Sequence, residues 1–145
     1  MTTATATQFA SSIAADLADT HAVTGAPRVV LRLEGALVLL AATAAYAHLG
    51  VGWKLFAALF LVPDLSMLGY LLGRRVGAAA YNTGHSYIGP ALLAAAALWA
   101  GHAALLPVAL IWIAHIGFDR MLGYGLKYGS TFGATHLGSL GRRAA

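Results

Sequence analysis

Between Arg28 and Lys127 apolar residues run in stretches longer than a soluble helix requires, separated by short segments that carry the charged and turn-forming residues. A helix needs roughly 20 apolar residues to cross a bilayer core. The pattern predicts an all-α integral membrane bundle of four transmembrane helices, at about Val29 to Leu49, Trp53 to Leu72, Val76 to Ala100 and Ala103 to Leu126. Its predicted organisation is a polar N-terminal tail (residues 1–27), the transmembrane domain (28–128) and a Gly-rich basic cytoplasmic tail (129–145). Within the first tail, Phe9, Ile13 and Leu17 recur every four residues, the spacing of a short amphipathic surface helix.

Composition agrees with a bilayer as the solvent. Hydrophobic residues make up 59% of the chain and charged ones 10%, with a mean hydropathy of +0.73. Such a chain has too little polar surface to cover itself in water. A net charge of +4 would suggest nucleic acid in a soluble protein, but here the basic residues sit at span ends, so no nucleic-acid partner is expected. Arg28, Arg32, Arg74, Arg75, Lys127, Arg142 and Arg143 all fall on one side of a four-span arrangement, and Lys54 stands alone in the opposite connections. The positive-inside rule then places both termini in the cytoplasm of a multi-pass protein of the cell inner membrane. Trp53, Trp99 and Tyr46 are expected at the outer interface, and Trp112 as a packing residue. The lipid bilayer is the expected partner, and the sequence allows a homo-oligomer.

Ionisable residues inside the apolar runs give the chain its chemistry. With a rise of 1.5 Å per residue, Asp64 and His85 each lie about 15 Å along their helices from Arg74 and Arg75, and Asp119 and His115 lie about 12 and 18 Å from Lys127. Asp64, His85, His115 and Asp119 are therefore expected at one depth, with His115 and Asp119 on one helical face. Pro63 and Pro90 remove main-chain donors near the same layer and should bend their helices there. The chain has no cysteine. Candidate metal ligands are therefore imidazole and carboxylate, a set that suits Zn, Mn or Fe. Glu34, Arg120, Ser86, Tyr81 and Asn82 are candidate supporting or charge-pairing residues, and His136 is a candidate additional ligand. No catalytic residue is assigned. The same residues also fit a structural polar network, or a proton or cation relay.

Four segments carry a resemblance: Leu-Arg-Leu-Glu-Gly around Glu34, Val62 to Tyr70, Tyr81 to Tyr87, and His115 to Tyr128, followed by Thr135-His-Leu-Gly138. They resemble a small bacterial integral-membrane family, the domain-of-unknown-function family 4260. That resemblance implies a helical membrane protein and no established activity. Pro63-Asp64, His85-Ser86 and the His115/Asp119 pair are also distantly similar to inner-membrane metal-dependent hydrolases of the LexA-binding type. The departures are at Ser66, where those proteins carry a second aspartate, and ahead of His85-Ser86, where they carry a basic residue and Thr. This second resemblance implies a divalent-metal site and hydrolysis of a lipid-borne ester or phosphoester.

The charge asymmetry makes the topology testable. A reporter active only outside the cytoplasm should stay silent when fused after Arg143, and activity there would overturn the assigned orientation.

Overall fold

The computed structural model describes residues 22–129 and 133–139, together with residues 5, 7–10 and 13 of the leading segment, which are helical. Leu17, His21, Arg142 and Arg143 lie outside the described residues. Helix α1 (Gly25–His48) is followed by α2 (Trp53–Leu59), which tightens into a 3-10 helix over Val62–Leu72. Helices α3 (Arg74–Gly84) and α4 (Ile88–Trp99) come next, and a short 3-10 turn (Ala103–Leu105) leads into α5 (Leu106–Leu122). A small antiparallel pair, β1 (Ala134–Thr135) and β2 (Gly138–Ser139), closes the described chain.

Among the described residues, three helices rather than the expected four are long and apolar enough to cross a membrane: Gly25–His48, Trp53–Leu72 and Ala103–Leu122. The expected span from Val76 to Ala100 is broken at His85–Tyr87 into helices of 11 and 12 residues. Pro90 cannot donate to the Ser86 carbonyl, so the α-helical ladder cannot run unbroken through this point. The Ser86 hydroxyl instead accepts the Ile88 N–H at 3.2 Å and starts a new helix.

The two longest helices pack antiparallel through bare backbone. A Cβ on Gly117 would lie 2.7 Å from the Leu39 nitrogen, and one on Gly35 would lie 2.5 Å from the Arg120 Cβ. Small residues allow this approach in a medium that offers no hydrophobic drive between helices. At one end of the pair, Arg32 Nε donates to the Met121 carbonyl at 2.8 Å and Val23 N–H to the His136 carbonyl at 2.8 Å. The start of α1 and the end of α5 thus lie on one side of the bundle. A second antiparallel seam joins the 3-10 helix to α3, where a Cβ on Gly69 would meet Ala80 at 2.8 Å and one on Gly84 would meet Ser66 Oγ at 2.9 Å.

Polarity is inverted relative to a soluble protein. Leu33, Leu37 and Leu40 on α1 and Leu65, Leu68, Leu71 and Leu72 on the 3-10 helix all face outward, whereas His85 and His115 are buried. Outward apolar faces of this extent belong against lipid. Trp53 and Trp99 are exposed, but Tyr46 is 1% exposed and donates its hydroxyl to the Gly52 carbonyl at 2.6 Å. It locks the turn between α1 and α2 rather than facing the interface. Within residues 129–145, Ala134, Thr135 and Leu137 are buried, and Lys127 just before them is 6% exposed.

Because the α1–α5 contact leaves no room for a side chain, Gly117→Val should force the helices apart and lower stability by about 1–3 kcal/mol. Unfolding in detergent would measure this, and a wild-type midpoint would show that the contact is slack.

Candidate metal centre

Each of four side chains is aimed by a distinct local device. The His85 ring reaches back from the end of α3, where its Nδ1 lies 3.0 Å from the Tyr81 carbonyl, the same oxygen that accepts the His85 main-chain N–H at 2.8 Å. A ring nitrogen facing a carbonyl carries the proton, which leaves the Nε2 lone pair pointing inward. His115 is 1% exposed, and its Nδ1 is buried with no hydrogen-bond partner among the described residues. The Phe60 carbonyl receives neither of the next two main-chain donors, since Pro63 has no N–H and the Asp64 N–H goes to Leu61 at 3.2 Å. Phe60 also sets its ring edge-on to His115, with centroids 5.4 Å apart.

Asp64 follows Pro63 in the first turn of the 3-10 helix. Asp119 sits where α5 ends in a Schellman motif. The Tyr124 N–H bonds to the Asp119 carbonyl at 2.8 Å and the Gly123 N–H to Arg120 at 3.0 Å, with Gly123 at φ 97°. The Asp119 backbone is thereby fixed, and the Tyr81 hydroxyl donates to its Oδ2 at 3.2 Å.

Four ligand atoms converge. His85 Nε2 lies 3.1 Å from His115 Nε2, 3.2 Å from Asp64 Oδ1 and 3.3 Å from Asp119 Oδ2. His115 Nε2 lies 3.5 Å from Asp64 Oδ1 and 3.8 Å from Asp119 Oδ2, and the whole set falls within 4.8 Å. Ligands about 2.0–2.1 Å from a tetrahedral zinc stand about 3.3–3.4 Å from one another, so five of the six edges already fit. The group is reached from one side: the Asp64 side chain is 40% exposed, against 14% for Asp119 and 3% and 1% for the histidines.

The other candidates are distributed around this group. Tyr81 stacks on His85 at 3.8 Å between centroids, in addition to its bond to Asp119. Asn82 donates to the Lys127 carbonyl at 2.9 Å and accepts the Lys127 N–H at 2.7 Å, so it clamps the returning chain rather than the ligands. Ser86 starts α4. Glu34 is exposed on α1, one residue off the face that Gly35, Ala42 and Tyr46 press inward, and is not brought to the group. Arg120 turns away from Asp119 to His136, with Nη1 2.8 Å from Nε2. His136 also accepts the Leu126 N–H on Nδ1 at 2.9 Å, and so sits apart from the four donors.

One residue near the site escaped the sequence reading. The Lys127 ammonium lies 4.6 Å from the Tyr81 ring centroid and 5.3 Å from that of Tyr70. Burial holds its pKa below the ordinary lysine range, against the opposing pull of Asp119 and Asp64. Gly123 and Gly125 were the available signal, since they end α5 and let the chain turn back before Lys127.

The model of a domain of unknown function, DUF4260, matches residues 28–140. The chain belongs to this family. No curated protein and no solved structure matches the chain. The DUF4260 match takes in all four donors as well as Lys127 and His136, so the packed hairpin after α5 is part of the family unit. The hydrolase resemblance rests on its short motifs alone.

Burial and the Arg120 charge hold the His136 pKa below the ordinary histidine range, and a protonated ring could no longer accept the Leu126 N–H on Nδ1. A folded-state value below the unfolded one gives stability that is present above about pH 6.5 and is lost as pH falls through the folded value. Acidification below pH ~6.5 should therefore weaken the wild type more than His136→Gln in detergent unfolding. Parallel pH profiles would show that the contact contributes nothing.

Proposed function

We propose that this DUF4260 protein holds a divalent cation, zinc by best fit, between Asp64, His85, His115 and Asp119, and uses it to hydrolyse a lipid-borne ester or phosphoester. One observation carries the reading: four potential ligand atoms converge, five of their separations being 3.1–3.8 Å, while the Tyr81 hydroxyl donates to a single carboxylate. Clustered lone pairs and carboxylates in an apolar bundle are strongly unfavourable without a positive charge among them. Two carboxylates and two neutral imidazoles around a dication sum to zero, which suits the bilayer interior. The His85 Nδ1 turned to the Tyr81 carbonyl is the outer support that metal-bound histidines use.

The widest edge, between the carboxylates, and the exposure of Asp64 leave one side for water and substrate. A cation held there would lower the pKa of a bound water toward about 7 and polarise a scissile carbonyl or phosphoryl group. Asp64 would hold it at the open side, and Tyr81 holds Asp119 in register. Manganese or iron would need further oxygen ligands on the open side. In the same reading the protein is a multi-pass plasma-membrane protein with its basic end, and so both termini, in the cytoplasm.

The Tyr81 bond to Asp119 favours a second reading, a polar network that fastens α3 to α5 without chemistry. Metal content separates the two. Protein purified in detergent should carry about one zinc per chain, and Asp64→Ala/His115→Ala should carry none. Metal-free wild type of normal stability would remove the metal site and the hydrolase with it. Energetic coupling offers a second check. Asp64→Asn and Asp119→Asn should each destabilise the bundle by about 3–5 kcal/mol when their partners are left buried and unmatched. The double variant should cost less than the sum, whereas additivity within about 0.5 kcal/mol would mean independent residues.

A further inference from the structure

The start of α1 and the end of α5 bring two guanidinium groups to one point. A Cβ on Gly123 would lie 3.8 Å from Arg28 Nη2 and 3.9 Å from Arg32 Nε. Those nitrogens therefore stand within about 8 Å of one another, a gap that a single phosphate can bridge. The support beneath them is bare backbone. Gly138, buried and at φ 124°, lies under the Arg28 guanidinium, and a Cβ there would come within 3.0–3.1 Å of its carbon and both terminal nitrogens. A side chain at Gly138 would displace Arg28.

Like charges four residues apart on one helix repel, and little within the described chain offsets that here. Arg32 gives its Nε to the Met121 carbonyl at 2.8 Å. Arg28 has no hydrogen-bond partner among the described residues, and of its three nitrogens only Nε is sealed from solvent. No described carboxylate lies within ion-pair reach of either arginine: Asp64 and Asp119 face the histidines, and Glu34 is exposed. A partly buried guanidinium without an anion is unfavourable, and a paired guanidinium fork suits an anion with several acceptor oxygens. The surroundings say which kind. Helix α1 is long and apolar enough to cross a membrane, so Arg28 and Arg32 near its start sit at the level of lipid headgroups. Val29, Val30 and Leu33 beside them, and Leu122 on α5, face outward where acyl chains would lie.

We infer that Arg28 and Arg32 hold the phosphate of an anionic phospholipid against the Gly123 turn. The site is separate from the four metal donors and does not depend on the hydrolase reading. Its contacts are the terminal nitrogens of Arg28 and those of Arg32 that Met121 leaves unused, and its acyl chains run along the outward residues of α1 and α5.

Native mass spectrometry of the full chain in detergent, titrated with dioleoyl phosphatidylglycerol, should show one saturable lipid per chain. Arg28→Gln and Arg32→Gln should each weaken binding about tenfold, the effect of losing a hydrogen bond to a charged group. Arg75→Gln removes the same charge from the same side of the bundle and should change affinity less than about twofold. Equal losses in all three variants, or uptake without saturation, would mean diffuse attraction and overturn the site. Inorganic phosphate at the lipid's own concentration should displace little of it, and displacement at equal potency would make a soluble phosphate the occupant and overturn the lipid. Asp16→Asn/Asp19→Asn should leave affinity unchanged, whereas a gain of about tenfold would make an acid of the leading segment the occupant and overturn the lipid as well. Arg28→Lys keeps the charge but not the planar fork, and tests the site even if Arg28→Gln fails to fold. It should bind about threefold more weakly than wild type, and wild-type affinity would overturn the role given to the guanidinium.

Discussion

The structure depends on how two carboxylates and two imidazoles can share a few ångströms inside an apolar bundle. Each ionised group there carries a desolvation cost of several kcal/mol, and two like charges at this separation add their repulsion. Such an arrangement persists only where the surrounding fold determines it. The helix breaks, the reversed chain after α5 and the glycine seams all bear on that condition. Pro63 and the Ser86 turn interrupt hydrogen-bond ladders at the layer where ligands must turn inward, and the Tyr81 carbonyl orients the His85 ring.

The supports are unequal in a way that bears on chemistry. His85 and Asp119 are held tightly: one ring is fixed by the Tyr81 carbonyl and the Tyr81 stack, and one carboxylate by the Schellman end of α5 and the Tyr81 hydroxyl. Tyr81 therefore couples two ligands from different helices. Asp64 and His115 are looser, since Asp64 is the exposed member and His115 Nδ1 has no hydrogen-bond partner among the described residues. Both face the α2 to 3-10 junction, Asp64 from its first turn and His115 against the Phe60 ring. In the proposed metal centre, one rigid and one adjustable pair would accommodate a change in coordination number.

How much was legible follows from what periodicity encodes. Helical rise converts sequence distance into depth, so the common level of Asp64, His85, His115 and Asp119 could be counted from Arg74, Arg75 and Lys127 before any fold was known. Rotation and continuity could not. The apolar run from Val76 to Ala100 looks like one span because composition does not register that His85 to Tyr87 leave the helix. Glu34 looked eligible because depth says nothing of facing, and the close approach at Gly35 turns its neighbour outward. Lys127 was counted as the continuation of α5, whereas Gly123 ends that helix and sends the chain back along α3. His136 was near enough in sequence terms, but the Arg120 guanidinium and the Leu126 N–H claim its ring.

Lys127 completes the electrostatic argument. Its ammonium lies over Tyr81, the side chain that touches both His85 and Asp119, and the charges of Asp119 and Asp64 act on it. It thus offsets part of the carboxylate charge. In the metal reading proposed above, cation uptake would release any protons held by the acids and imidazoles, so affinity should fall with acidity. The reversed chain that carries Lys127 is therefore as much a part of the centre as the helices that carry its donors.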